Sequence, residues 1–244
     1  MKGEIPMKYA LITGCDHGVG LALARELAER GYALAACRID PNETQIDNLS
    51  RRYPGRITVL SLDIGSDVSV AQMKAAVEAL FPGLDLLINN AGILGHMEDG
   101  PDGELDFELM QRVINVNALG TLRVTSALLP LLRKGTDKTV VNITSEAGSI
   151  AQCERVGWFG YCMSKAANNM QGALIHNTLR REGGRVLQIH PGHVATYMRG
   201  HLDTTARITP DVSARGILQQ VLDVERPITD RPAYVDYAGD KLDW

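Results

Sequence analysis

The chain has 244 residues, 45% of them hydrophobic and 22% charged, with 24 glycines and a formal net charge of −4. That length and apolar content suffice for one α/β domain, and a weak negative charge without a basic cluster excludes an electrostatic footprint for nucleic acid or an anionic membrane. There is no apolar run of membrane-spanning length, residues 1–7 read as a flexible extension rather than a secretory signal, and the four scattered cysteines form no C-x-x-C pair, so we expect a cytoplasmic protein with reduced thiols and no metal site.

Short apolar runs alternate with longer amphipathic stretches throughout. The pattern predicts strands at 9–13, 33–37, 57–62, 84–89, 139–145, 185–190 and 233–237. Between them it predicts helices near 19–30, 42–52, 67–80, 104–133 (two helices), 161–182 and 210–223. Such alternation is that of repeated βα units around a parallel sheet. Neither a repeat nor a Pro- or Ser-rich linker marks a second domain, so residues 1–244 read as one. The weakly patterned stretch 193–210 follows a strand and is a substrate-lid candidate, because loops at the carboxyl ends of parallel strands bind ligands.

The first βα turn reads Thr13-Gly14-Cys15-Asp16-His17-Gly18-Val19-Gly20. Its glycines permit a tight turn and close approach to a pyrophosphate, and the helix start supplies N–H groups and partial positive charge. The spacing is Gly-x-x-x-Gly-x-Gly, and no Lys-Ser or Lys-Thr follows, which excludes a P-loop. The second strand ends in Cys37 and Arg38, where a carboxylate would select a free ribose 2′-hydroxyl. A guanidinium suits a 2′-phosphate instead, so the reading is NADP(H) over NAD(H), with Asp40 keeping NAD(H) possible.

Tyr161 and Lys165 lie four residues apart in a helical pattern and so share a face. An ammonium about 4 Å from a phenol favours the phenolate by roughly 4 kcal/mol at an effective dielectric of about 20, or roughly 3 pKa units. A tyrosine so poised can pass a proton to or from an alcohol or carbonyl oxygen.

The TGxxxGxG turn, Asn89-Asn90-Ala91-Gly92, Asn117, Ser145, Tyr161-x-x-x-Lys165 and Pro191-Gly192-x-x-x-Thr196 fall in order along nearly the whole chain. Together they resemble the short-chain dehydrogenase/reductase family in its single-domain form. The Thr-Gly-Cys opening, the Ala-Cys-Arg strand end and the ending from Tyr234 to Trp244 look like its C-factor and sniffer carbonyl reductase subgroup.

The resemblance implies a Rossmann-like doubly wound, parallel seven-stranded sheet with helices on both faces, and an enzyme interconverting a small-molecule carbonyl and alcohol. It implies Tyr161 as general acid/base, Lys165 lowering its pKa and holding the nicotinamide ribose, Ser145 hydrogen-bonding the substrate oxygen, and Asn117 holding a relay water. Asn115 is the alternative to Asn117. Gly14, Cys15, His17, Gly18, Val19 and Gly20 would form the pyrophosphate turn. Asp63 and Ile64 would meet the adenine, Asn90, Ala91 and Gly92 would line the cofactor trough, and Pro191, Gly192, Val194 and Thr196 would border the carboxamide. A homodimer or homotetramer through helices near 117–133 and 161–182 is implied as well. The Ser145 to Tyr161 interval is three residues longer than is usual in the family, and its loop carries Glu154, Arg155, Trp158 and Phe159, with the two aromatics as apolar walls of the substrate pocket or, alternatively, buried beneath the loop or at a subunit contact. His193 and His201 read as polar surface residues.

Overall fold

Strand residues alternate between two cores, and that alternation sets the architecture of the computed structural model, which describes residues 7–244. Ala10 and Ile12, Leu34 and Ala36, and Leu86 and Ile88 join one apolar cluster, while Leu11, Ala35, Cys37 and Leu87 join the other. Successive strand side chains point to opposite faces, so strands buried on both sides need a helical layer over each.

Seven strands run parallel: β1 (Tyr9–Ile12), β2 (Ala33–Arg38), β3 (Ile57–Ser61), β4 (Leu86–Asn89), β5 (Thr139–Ile143), β6 (Arg185–His190) and β7 (Ala233–Asp236). Their order is β3-β2-β1-β4-β5-β6-β7. The first face is covered by α1 (Gly18–Glu29), α2 (Gln45–Arg52) and α7 (Pro210–Leu218), through Leu23, Leu27, Ile46, Leu49, Ile217 and Leu218. The second is covered by α3 (Asp67–Leu80) and α5 (Thr121–Lys134), through Val70, Met73, Val77, Val124, Leu128 and Leu131. The chain reverses its winding between β1 and β4, which opens a crevice at their carboxyl ends. The doubly wound expectation holds.

The expected pair of helices over 104–133 is α4 (Phe107–Ile114) and α5, joined by a wide π turn, Asn115–Gly120. Such turns concentrate at functional sites, and this one carries Asn117. The last long helix, α6 (Phe159–Leu179), begins two residues before the expected start, so Tyr161 sits in its first turn. Its cap residue, Trp158, is left-handed at φ 66°, a conformation that costs strain outside glycine. Met7 apart, the extension expected at residues 1–7 lies outside the described residues. Among the described residues, no helix is long and apolar enough to cross a membrane.

Candidate active site

A cavity of about 1150 Å³ follows the carboxyl ends of the strands from the first βα turn to the loop after β6. At the end formed by the first βα turn, Asn90 Nδ2 donates to the carbonyls of Thr13 (3.0 Å) and Gly14 (2.9 Å), and Thr13 Oγ1 accepts from the amides of Asn90 and Ala91, both at 3.0 Å. The turn after β1 is thereby tied to the chain leaving β4. A Cβ on Gly20 would lie 2.0 Å from the Gly14 carbonyl, so only glycine fits there.

Helix α1 opens without a capping side chain and without an acidic residue in its first turn. Its leading N–H groups are left for an anion, and the donor set fits a dinucleotide pyrophosphate. Gly14, His17, Gly18, Val19, Asp63, Ile64, Asn90, Ala91, Gly92, Pro191, Gly192, Val194 and Thr196 all line the cavity. Cys15 is turned into the core, its thiol facing the Ile12 carbonyl.

Arg38 is also turned aside from the cavity lining. Its Nη1 donates to the Glu43 carbonyl at 2.8 Å and to Asp47 Oδ2 at 2.5 Å. The sequence shows no reason to prefer that arrangement, since Asp47 reaches Arg38 only once α2 has formed. Asp16, Asp40 and Glu43 line this end of the cavity instead. The buried Asp16 carboxylate accepts from the amides of Ile39 (3.0 Å) and Asp40 (2.8 Å), fixing the turn after β2.

At the opposite end, Ser145, Tyr161 and Lys165 converge on the same cavity. Ser145 follows β5 and accepts from the Ala147 amide at 3.1 Å, and Tyr234 donates its hydroxyl to the Ser145 carbonyl at 2.6 Å. Lys165 Nζ donates to the Ile143 carbonyl at 2.9 Å and lies 5.5 Å from the Tyr161 ring centroid. Asn117 is buried behind them. Its side chain bonds the backbone of Ile93 in both directions at 2.8 Å and donates to Ser164 Oγ at 3.0 Å. Asn115, the sequence alternative, instead donates to the Gly65 carbonyl at 3.2 Å.

The spacing argument expects Lys165 to draw the Tyr161 phenol down, and burial reverses that. Tyr161 is pushed well above its ordinary value by burial, which outweighs the adjacent Ser145 hydroxyl, and Lys165 is pushed down to about 8 by burial. The lysine therefore destabilises the fold while charged. Below pH about 8 it is protonated both folded and unfolded, and the penalty is full, about 3 kcal/mol. Between about 8 and 10.5 the folded lysine loses its proton first, and the penalty fades. Without dinucleotide, Lys165→Met is expected to be more stable than wild type at pH 7, with the gap closing toward pH 10. Denaturant titrations across that range check this, and a pH-independent gap refutes it.

The polar network supporting α6 escapes sequence reading. Asn168 Nδ2 donates to the Asn117 carbonyl at 3.1 Å, Asn169 accepts from Thr144 Oγ1 at 2.8 Å, and Gln188 Nε2 donates to the Asn168 carbonyl at 3.0 Å. Its one signal is that Ser164, Asn168 and Asn169 lie at helical spacing from Tyr161 and Lys165, a polar stripe where a core stripe is expected. The long loop contributes Arg155 and Trp158 to the cavity wall, while Glu154 and Phe159 do not line it. In the lid candidate, His193 pairs with Asp203 at 2.8 Å. The Thr205 hydroxyl and His193 hold that carboxyl well below the usual range. No group of three or more His, Cys, Asp or Glu residues among those described is placed to hold a metal, and the four cysteines are free.

Residues 8–207 match the family model described as short chain dehydrogenase. The chain is 32% identical over 240 residues to the 1-hydroxy-2-glutathionyl-2-methyl-3-butene dehydrogenase of Rhodococcus sp. (strain AD45), covering 98% of this chain and 100% of that protein. It is 41% identical over 161 residues to C-signal of Myxococcus xanthus, covering 66% of this chain and 93% of that one. Among solved structures it is similar to the NADPH-bound carbonyl reductase from chicken fatty liver, with a TM-score of 0.86 and 28% identity over 99% of this chain and 96% of that one. With its ordered motifs, doubly wound sheet and converging Ser145, Tyr161 and Lys165, the chain belongs to the short-chain dehydrogenase/reductase family.

Proposed function

We propose that the chain is a cytoplasmic, NADP(H)-preferring oxidoreductase interconverting a small-molecule carbonyl and its alcohol, with Tyr161 as general acid/base. The observation that carries this reading is one continuous cavity with an anion-accepting helix start at one end and the hydroxyls of Ser145 and Tyr161 beside Lys165 at the other. When bound, the nicotinamide supplies or accepts the hydride.

The chain's own residues handle the proton and the orientation. Tyr161 gives or takes the proton at the substrate oxygen, Ser145 fixes that oxygen, and Lys165 binds the nicotinamide ribose and keeps positive charge near the phenol. Asn117, which ties Ile93 to Ser164 of α6, would place a relay water behind Lys165. Gly14, Gly18 and Gly20 with the start of α1 would hold the pyrophosphate, Asp63 and Ile64 the adenine, and Val194 and Thr196 the carboxamide.

NADP(H) is favoured by Arg38 at the end of β2 and by the NADPH carried by the chicken carbonyl reductase. To meet a 2′-phosphate, Arg38 must exchange Asp47 and the Glu43 carbonyl for phosphate oxygens. NAD(H) is a second reading, supported by that engagement of Arg38 and by the Asp16, Asp40 and Glu43 carboxylates around the ribose end. Met163, Met170 and Leu174, exposed along one side of α6, support a homodimer or homotetramer.

The test is a panel of aldehydes and ketones followed by NADPH oxidation at 340 nm, a wavelength fixed by the dihydronicotinamide. Reduction of at least one carbonyl is expected. Tight cofactor binding with no reduction of any would favour instead a signalling role of the kind that the likeness to C-signal suggests.

A further inference from the structure

The residue after Ser145 is a carboxylate, and it occupies the only proton that Ser145 has. Ser145 Oγ donates to Glu146 Oε2 at 2.8 Å while accepting from the Ala147 amide at 3.1 Å. A serine hydroxyl offers one donor and two acceptor sites. With the proton committed to Glu146 and one lone pair committed to Ala147, Ser145 has a single lone pair left, which is shared between the adjacent Tyr161 hydroxyl and whatever enters the cavity.

Glu146 is itself held. Arg155 Nη2 donates to Glu146 Oε1 at 2.6 Å, the guanidinium lies 5.1 Å over the Trp158 ring, and Trp158 meets Tyr161 edge-on at 6.0 Å between centroids. Trp158 keeps its left-handed backbone while its amide donates to Asp99 Oδ1 at 2.6 Å. The extended loop thus closes a ring of contacts from Ser145 through Glu146, Arg155 and Trp158 to Tyr161. Burial alone would push the Glu146 carboxyl up, yet the Ser145 hydroxyl, His190 and Arg155 together hold it below its ordinary range, so it stays ionised and acceptor-only.

We infer that Glu146 is a positioning residue that turns Ser145 into a hydrogen-bond acceptor, so that the site binds the alcohol form of its substrate in preference to the carbonyl form. An alcohol can donate its hydroxyl proton to the remaining Ser145 lone pair, whereas a carbonyl oxygen has no proton to offer and must rely on Tyr161 alone. The inference rests on the proposed oxidoreductase reading, in which Ser145 faces the substrate oxygen.

Wild type, Glu146→Gln and Glu146→Ala are compared with acetone and propan-2-ol, the smallest ketone and alcohol pair, or, where these are inert, with the panel carbonyl reduced fastest and its alcohol, each measured with the matching reduced or oxidised dinucleotide. In Glu146→Ala the Ser145 proton is released toward the cavity, and in Glu146→Gln it is released because Arg155, a donor only, takes the amide oxygen and leaves the amide nitrogen facing Ser145. The ratio of the alcohol KM to the ketone KM is expected to rise roughly fivefold to tenfold, the worth of about one neutral hydrogen bond. With dinucleotide affinities unchanged, the overall equilibrium fixes the ratio of the two kcat/KM values, so the shift in the KM ratio must be matched by an equal shift in the kcat ratio. A merely structural role would raise both KM values together. Turnover in all three proteins with an unchanged KM ratio overturns the assignment of Glu146 alone. Wild-type protein that binds dinucleotide but turns over neither acetone nor propan-2-ol, nor any member of the carbonyl panel, overturns the oxidoreductase reading and the assignment with it.

Discussion

Tyr161→Phe is expected to lower kcat by a factor of about 10²–10⁴, the usual worth of a positioned general acid/base, while the thermal midpoint and dinucleotide affinity stay close to wild type. The substitution removes one oxygen and keeps the ring that packs edge-on against Trp158, so no cavity of consequence forms. The lost group is a buried hydroxyl whose phenol burial already keeps protonated, so the fold loses little with it. Steady-state rates, thermal melts and dinucleotide titration on the same preparation make the check. A kcat within threefold of wild type would remove Tyr161 from the proton-handling role.

Arg38→Ala is expected to weaken NADPH by about 1.5–3 kcal/mol, the worth of one charge-assisted contact, with NADH affected little. The structure complicates this in a testable way, because Arg38 is bonded to Asp47 and to the Glu43 carbonyl. Asp47→Asn removes the competing carboxylate, keeps a similar shape, and is expected to tighten NADPH while leaving NADH near its original affinity. Titrating both variants with both dinucleotides separates the alternatives. Equal losses of NADPH and NADH in Arg38→Ala would mean that Arg38 supports the turn after β2 and does not read the ribose phosphate.

The element pattern was legible because its causes are local. Apolar runs buried on both faces, such as Leu86–Asn89, and amphipathic stretches with a single buried stripe, such as Gln45–Arg52, differ in period, and period is written in the chain. The errors lie at boundaries where tertiary contacts decide. Helix α6 begins at Phe159 because the Trp158 amide is held by Asp99, 59 positions earlier. The helices spanning 104–133 are joined through a π turn because Asn117 bonds Ile93 and Ser164 on other segments.

By itself the sequence carried the resemblance to the family, the alternation of a parallel sheet, the glycine-rich first turn and Ser145, Tyr161 and Lys165 as candidates, since these rest on residue types in order and at fixed spacing. Electrostatics in the site was another matter, because a charge's effect depends on its depth and on its partners, which spacing does not contain. Only the tertiary structure decided that Lys165 is buried and bonded to Ile143, so that burial and not its ammonium dominates the pKa of Tyr161. It alone turned Arg38 toward Asp47, and it alone set Glu146 on the proton of Ser145.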